Sequence, residues 1–261
     1  MNATSPQAIW LSVADGLVPR EFLDERLPAH ARMQMPHFLR RNWNDADSVA
    51  ARQAIIAEAG AASFEEWTGG PGVPPELALK QLREHLQDLM DHDSPSPALE
   101  QLRRAIYRAE FEAQELLVPL YSDVLPTLAA WRELGLQVWV WHPWTASLTH
   151  HLLNCTSESS LRSYIQACRE LPDEVESEQL AQTAREAALA PDQVLVVSGD
   201  ARFLAAARQA GLRGIELRRE PEAESGVAQF ISRLSEVPVR PDPGTRPGST
   251  LSPSPGSRAG R

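Results

Sequence analysis

The chain is almost without lysine: of 25 basic residues, Lys80 alone is a lysine. Chemistry that needs an ammonium group, whether a Schiff base or a point charge on a phosphate, therefore has a single candidate. Cysteine is nearly as scarce. Cys155 and Cys168 are the two present, and their spacing fits no thiolate metal site, so two reduced thiols in a cytoplasmic protein are expected. No run of about eighteen apolar residues occurs, which excludes a membrane-spanning helix. The N-terminus shows no basic stretch followed by an apolar one, so no secretory leader is expected. Positive charge is outnumbered, 25 basic against 35 acidic residues, for a net charge of −10. A polyanion would be repelled, so no nucleic-acid partner is expected. The arginine pairs Arg40–Arg41, Arg103–Arg104 and Arg218–Arg219 read as helix-surface charge rather than as a basic patch.

What is present supports a sizeable core: 43% of 261 residues are hydrophobic, enough for one domain with an insertion or for two small ones. Residues 8–13 (AIWLSV) read as a buried strand running into the turn Ala14-Asp15-Gly16. From about residue 24 to 116 apolar positions recur every three or four residues, in 36–43, 49–59, 77–90 and 99–116. Segments 69–75 (GGPGVPP) and 94–97 (SPSP) break these helices. Beyond Leu120 the pattern alternates: helix 124–134, strand 136–141 (LQVWVW), helix 145–153, helix 174–189, strand 193–198 (QVLVVS), helix 202–210 and strand 214–217. Helix alternating with apolar strand implies a parallel sheet with crossovers on both faces. Such sheets place ligands at the carboxyl ends of their strands, which directs attention to residues 13–16, 141–145 and 198–200. Residues 237–261, rich in Pro, Gly and Ser, are expected to be a disordered tail.

The segments 26–43 (RLPAHARMQMPHFLRRNW), 86–107, 115–141 and 189–211 (LAPDQVLVVSGDARFLAAARQAG) resemble the haloacid dehalogenase superfamily and, within it, the enolase-phosphatases, or acireductone synthases, of methionine salvage. The resemblance implies an α/β fold, a Rossmann-like parallel sheet with an all-helical cap inserted after the first strand. It places the core in residues 1–23 and 117–236 and the cap in 24–116. It also implies a mechanism: an aspartate at the end of the first strand attacks phosphorus, an acid two positions later is the general acid/base, a hydroxyl and a lysine hold the phosphoryl oxygens, and an acid after a later strand helps bind Mg²⁺.

Against that pattern the chain departs at each motif. The Asp-x-Glu-Gly signature reads Val13-Ala14-Asp15-Gly16, so the nucleophile position has no lone pair and only Asp15 keeps its acid. The tyrosine–serine–serine motif reads Trp141-His142-Pro143-Trp144, and the proline also removes a backbone N–H. The lysine position falls near Glu174, which would repel a phosphate; Lys80 lies in the helical insertion, and Arg169 is a conceivable substitute. The metal motif reads Ser198-Gly199, with Asp200 one place late. The cap's Thr-Pro-Leu-Lys run reads Pro97-Ala98-Leu99-Glu100. Loss of one member of a covalent mechanism costs several powers of ten in rate, so several losses leave little of this one.

Several readings stay open at this point. Asp15 and Asp200 form either a remnant Mg²⁺ site or ordinary turn and helix-cap chemistry. In a register shifted by two residues Asp15 is itself the nucleophile, with Leu17 in place of the general acid. His142 is either a general base or a hydrogen-bonded structural residue. Trp139, Trp141 and Trp144 either fill the former phosphate pocket or pack in the core; Trp144 and Thr145 are the candidate ligand contacts. His150 and His151 point apart on a helix, and the acidic stretch Glu170, Asp173, Glu174, Glu176 and Glu178 reads as a solvated helix start. No cofactor is expected unless Mg²⁺ persists at Asp15 and Asp200. The expected function is noncatalytic binding of a small molecule or a protein partner. The alternatives are a Mg²⁺-dependent hydrolase working through Asp15, Asp200 and His142, and a structural subunit that dimerises through the cap.

Overall fold

The computed structural model describes residues 5–92, 94–156, 161–219 and 230–239. Its centre is a six-stranded sheet in the order β3-β2-β1-β4-β5-β6, with every strand pair parallel. The strands are β1 (Ala8–Ser12), β2 (Gln137–His142), β3 (Ala167–Glu170), β4 (Val194–Ser198), β5 (Arg213–Leu217) and β6 (Phe230–Ile231). β1 and β4 are buried along their whole length, as continuous apolar runs in a sheet covered on both faces must be. The chain leaves β1 for β2 on one side and places β4 on the other. The carboxyl ends of β1 and β4 therefore form the crevice where the strand order reverses.

Between β1 and β2 the chain is helical. A π-turn, Phe22–Arg26, runs straight into α1 (Leu27–Arg41), followed by α2 (Ala46–Glu58), α3 (Phe64–Thr68), α4 (Pro75–Asp91) and α5 (Pro97–Ala113). α6 (Val124–Glu133) then leads back to the sheet, and α7 (Ala146–Asn154), α8 (Ser177–Glu186) and α9 (Ala201–Gln209) connect the later strands. Alternation along the strands divides the interior into two layers. Ile9, Leu11, Val13, Val138 and Val140 join the large cluster that includes residues of α1, α2, α4 and α5. Ala8, Trp10, Trp139, Trp141, Val194 and Val196 join the cluster under α8 and α9.

Several expectations need correction. β3 was not anticipated; it is four residues long and half exposed, too short and too wet to show a period of two. The helix expected over 174–189 is only Ser177–Glu186, which leaves Glu174 exposed in a loop after β3. Arg218 and Arg219 are not on a helix: they follow β5 at the carboxyl edge of the sheet. Val237 is buried and Val239 packs on the same core, so the ordered chain extends past the expected boundary. Residues 240–261 of the expected tail lie outside the described residues. Cys155 and Cys168 are both buried and unbridged; burial raises both thiol pKa values, that of Cys168 to about 12.

Candidate functional site

The end of β1 is built by close backbone approach. The Val13 amide continues the sheet by donating to Trp141 O (3.0 Å), and the Val13 carbonyl accepts from the amides of Leu17 and Val18 (3.0 Å each). Gly16 makes this hook possible, because a Cβ there would lie 1.9 Å from Ser12 O. Asp15 takes a left-handed conformation, φ 60°, which is uncommon for a residue with a side chain. Beneath the turn two buried hydroxyls join β1 to β4: Ser198 Oγ lies 3.0 Å from Ser12 Oγ and also accepts from the Asp200 amide (2.9 Å). Val13 itself is fully buried among Ile9, Leu11 and their neighbours. The residue at the end of the strand is thus a core residue with no group that could attack a substrate.

Asp15 borders a cavity of about 1080 Å³ at the crevice, with Arg20, Glu21, Asp24, Tyr121, Gly199 and Glu216 among its lining residues. Its charged lining comprises five carboxylates and three guanidiniums, those of Arg20, Arg218 and Arg219. Each guanidinium has a carboxylate against it. Arg20 Nε donates to Asp15 Oδ2 (2.7 Å), and its Nη1 lies 3.9 Å from Asp24 Oδ2. Arg218 Nε donates to Glu216 Oε1 (2.7 Å). Arg219 Nη1 donates to both oxygens of Asp123 (2.8 and 2.7 Å). The cavity is therefore balanced toward negative charge, a poor setting for a phosphate dianion.

Asp200 is not among the residues that line the cavity beside Asp15. It is the N-cap of α9, and its carboxylate accepts from the amides of Arg202 (2.8 Å) and Phe203 (3.3 Å) and from the Arg202 guanidinium. Burial alone would raise its pKa, but the Arg202 side chain and these amides outweigh it and the pKa is lowered. The residue beside Asp15 is Gly199: a Cβ there would lie 3.5 Å from Asp15 Oδ2 and 3.1 Å from Leu217 O. The glycine admits the end of β5 into the space a longer side chain would need.

At the end of β2 the other candidates form a ring stack. His142 is buried on the face of Val138 and Val140; its Nδ1 accepts from the Trp144 amide (3.2 Å). Burial first, and the charge of Arg104 second, lower its pKa to about 3. It is neutral at physiological pH and a very weak base, contrary to the role of general base. Trp144 lies edge-on to His142, ring centroids 4.4 Å apart, and stacks on Tyr107 of α5 at 5.3 Å. Trp139 and Trp141 are elsewhere: they pack on Trp10 at 5.7 and 5.2 Å on the opposite face of the sheet. None of the three rings lines the cavity beside Asp15. Thr145 is the N-cap of α7, its hydroxyl accepting from the Leu148 amide (3.4 Å). His142, Trp144 and Thr145 are absent from the lining of the Asp15 cavity.

The other two candidate cations, Arg169 and Lys80, are not among the residues that line this cavity. Arg169 lies over the Trp139 ring, 5.0 Å from its centre. Lys80 is exposed on α4, 3.7 Å from Glu84. On α5 the Pro97–Glu100 turn is a helix start, with Ser96 as N-cap and the Glu58 carboxylate accepting from Ser96 Oγ (2.6 Å) and the Ala98 amide (2.8 Å). His151 Nε2 lies 3.6 Å from Glu112 Oε1.

The resemblance read in the sequence implies Mg²⁺ at the β1 end, and the donors present do not suit it. Magnesium takes about six oxygens in octahedral array, some of them from carboxylates. Val13 and Gly199 offer no side-chain oxygen, the Asp15 carboxylate is held by Arg20, and Asp200 caps a helix. Among the described residues no group of three or more His, Cys, Asp or Glu side chains could hold a metal ion.

Arg20, Asp123 and Arg219 went unnoticed as site residues in the sequence. Arg219 falls two residues past the end of β5, on the same sheet edge as Asp15, and that position was the available signal. No protein-family model matches the chain. It is 22% identical over 235 residues to "Enolase-phosphatase E1" of Aquifex aeolicus, covering 89% of this chain and 99% of the relative. It is 26% identical over 247 residues to the protein of the same name in Acidiphilium cryptum, covering 92% and 99%. The Saccharomyces cerevisiae structure described as "Unknown transcript 4 protein" superposes with a TM-score of 0.68 at 16% identity, covering 88% of this chain and 99% of that one. The Rhodobacter sphaeroides structure described as CbbY in complex with phosphate gives a TM-score of 0.50 at 17% identity, covering 88% and 96%.

Proposed function

We propose that this chain, which has the haloacid-dehalogenase-like fold and is related in sequence to the enolase-phosphatases, does not carry out aspartyl-phosphate chemistry and serves instead as a noncatalytic binding protein. The observation that carries the reading is Val13: the residue at the nucleophile position is a hydrocarbon sealed in the core. A covalent mechanism needs a lone pair at that atom. The acid two residues on, Asp15, is engaged by Arg20. The hydroxyl position carries His142, a ring buried at the end of β2 and absent from the lining of the Asp15 cavity.

The Asp15 cavity, about 1080 Å³ in volume, has room for a small molecule. Its excess of carboxylates favours a ligand that is neutral or cationic where it meets Glu21, Asp24 and Glu25. The test is turnover of a generic aryl phosphate by the full chain with and without Mg²⁺. No turnover above that of buffer is expected in either condition. Mg²⁺-dependent turnover that disappears in Asp15→Asn would sink the reading in favour of a hydrolase working through Asp15 and Asp200.

A further inference from the structure

Arg219 commits all three guanidinium nitrogens at the carboxyl edge of the sheet. Nε donates to the carbonyl oxygen of Asp15 (2.8 Å) and Nη2 to that of Gly16 (2.7 Å). Nη1 donates to both oxygens of Asp123 and, at 3.4 Å, to Ser232 O. One face of the guanidinium lies over the Tyr121 ring, 4.2 Å from its centre. The side chain is only 6% exposed. Two main-chain carbonyls and a carboxylate converging on one point are the oxygen donors a hard divalent cation takes. Here that point holds a guanidinium, whose fork of donors fits several oxygens in one plane. On the other side of the turn Arg20 takes the carboxylate of the same Asp15.

We propose that the guanidinium of Arg219 is the permanent cation of this site, standing where a divalent metal would otherwise gather the Asp15 turn, with Arg20 holding the Asp15 carboxylate. A metal ion entering here meets two positive charges, one of them the buried Arg219, and finds the carbonyl oxygens already bonded. The turn after β1 is therefore organised by the chain itself, and its order does not depend on metal supply. The arrangement also joins parts distant in sequence. Asp123 at the start of α6 accepts from the Leu234 amide (2.6 Å) as well as from Arg219, so one ion pair holds the β1 turn, the start of α6 and the segment after β6. The inference is separate from the reading of catalysis. Metal binding without turnover would overturn this inference alone, and turnover without metal would overturn the other alone.

The test is thermal melting of the full chain in the absence and presence of Mg²⁺ or Mn²⁺. The expected result is a wild-type Tm that neither ion changes, and a Tm for Arg219→Gln lower by roughly 10 °C, because a partly buried carboxylate loses its partner. A wild-type Tm raised several degrees by Mg²⁺, with the rise lost in Asp15→Asn, would overturn the proposal; so would an Arg219→Gln protein that melts with wild type. If Arg219→Gln does not fold, the double variant Asp123→Leu/Arg219→Met removes both buried charges together. Its Tm is expected to stay below wild type, since the Asp15 and Gly16 carbonyls have lost their donor. Full recovery would mean that Arg219 serves only to neutralise Asp123, and the proposal would fall.

Discussion

His142 shows how burial decides the character of a side chain. Its sequence position at a strand end suggests acid–base chemistry, and its surroundings abolish it: the pKa falls to about 3 because the charged ring has no water and faces Arg104. In the unfolded chain a histidine titrates near 6.5. Below that pH the unfolded state binds a proton that the folded state refuses, so the contribution to stability is complete above about 6.5 and is lost as pH falls toward about 3. Between pH 7 and pH 5 this amounts to about 2 kcal/mol. Urea denaturation at the two pH values should show that loss in wild type and a smaller one in His142→Gln. Equal losses would mean that the buried ring is not the titrating group. That Val13, His142 and Gly199 stand at strand ends was legible from the apolar runs of β1, β2 and β4. The engagement of Asp15 by Arg20 was not legible, since it depends on how the turn folds back.

At the level of elements, residues that look like ligands are helix caps. Asp200 satisfies the amides of Arg202 and Phe203 at the start of α9. Ser96 and Glu58 do the same for α5. Asp200→Ala should therefore lower stability by about 1 kcal/mol, read as a shift of the urea midpoint with unchanged slope, and should leave any ligand affinity intact. An unchanged midpoint would return Asp200 to the list of site residues. The apolar runs of β1, β2 and β4 were readable as strands because both faces are buried. β3 was not, because its pairing with β2 supplies the order that its own sequence, ACRE, does not. The acidic residues before α8 read as the beginning of a helix, but the chain turns there, and the helix starts only at Ser177.

At the scale of the molecule, the helical insertion is tied to the sheet through α5 and α7. Tyr107 is buried and stacks on Trp144, and burial raises its hydroxyl pKa. Tyr107→Ala should cost roughly 3–5 kcal/mol and shift the tryptophan emission to the red as Trp144 becomes wetted, whereas Tyr107→Phe should change both little. If Tyr107→Ala melts with wild type, the stack does not anchor the insertion. No helix among the described residues is long and apolar enough to cross a membrane, as the lack of long hydrophobic runs implied.

The sequence by itself determined the α/β pattern and the long helical insertion after the first strand. Those features are local: they follow from periodicity and from turn residues. Only the tertiary structure decided that Trp139 and Trp141 belong to the core under α8 and α9, and that Arg219 reaches back to Asp15, Gly16 and Asp123. Those outcomes depend on strand order and on which edge of the sheet a loop ends at. Contacts between residues a hundred or two hundred positions apart leave no period in the chain from which to read them.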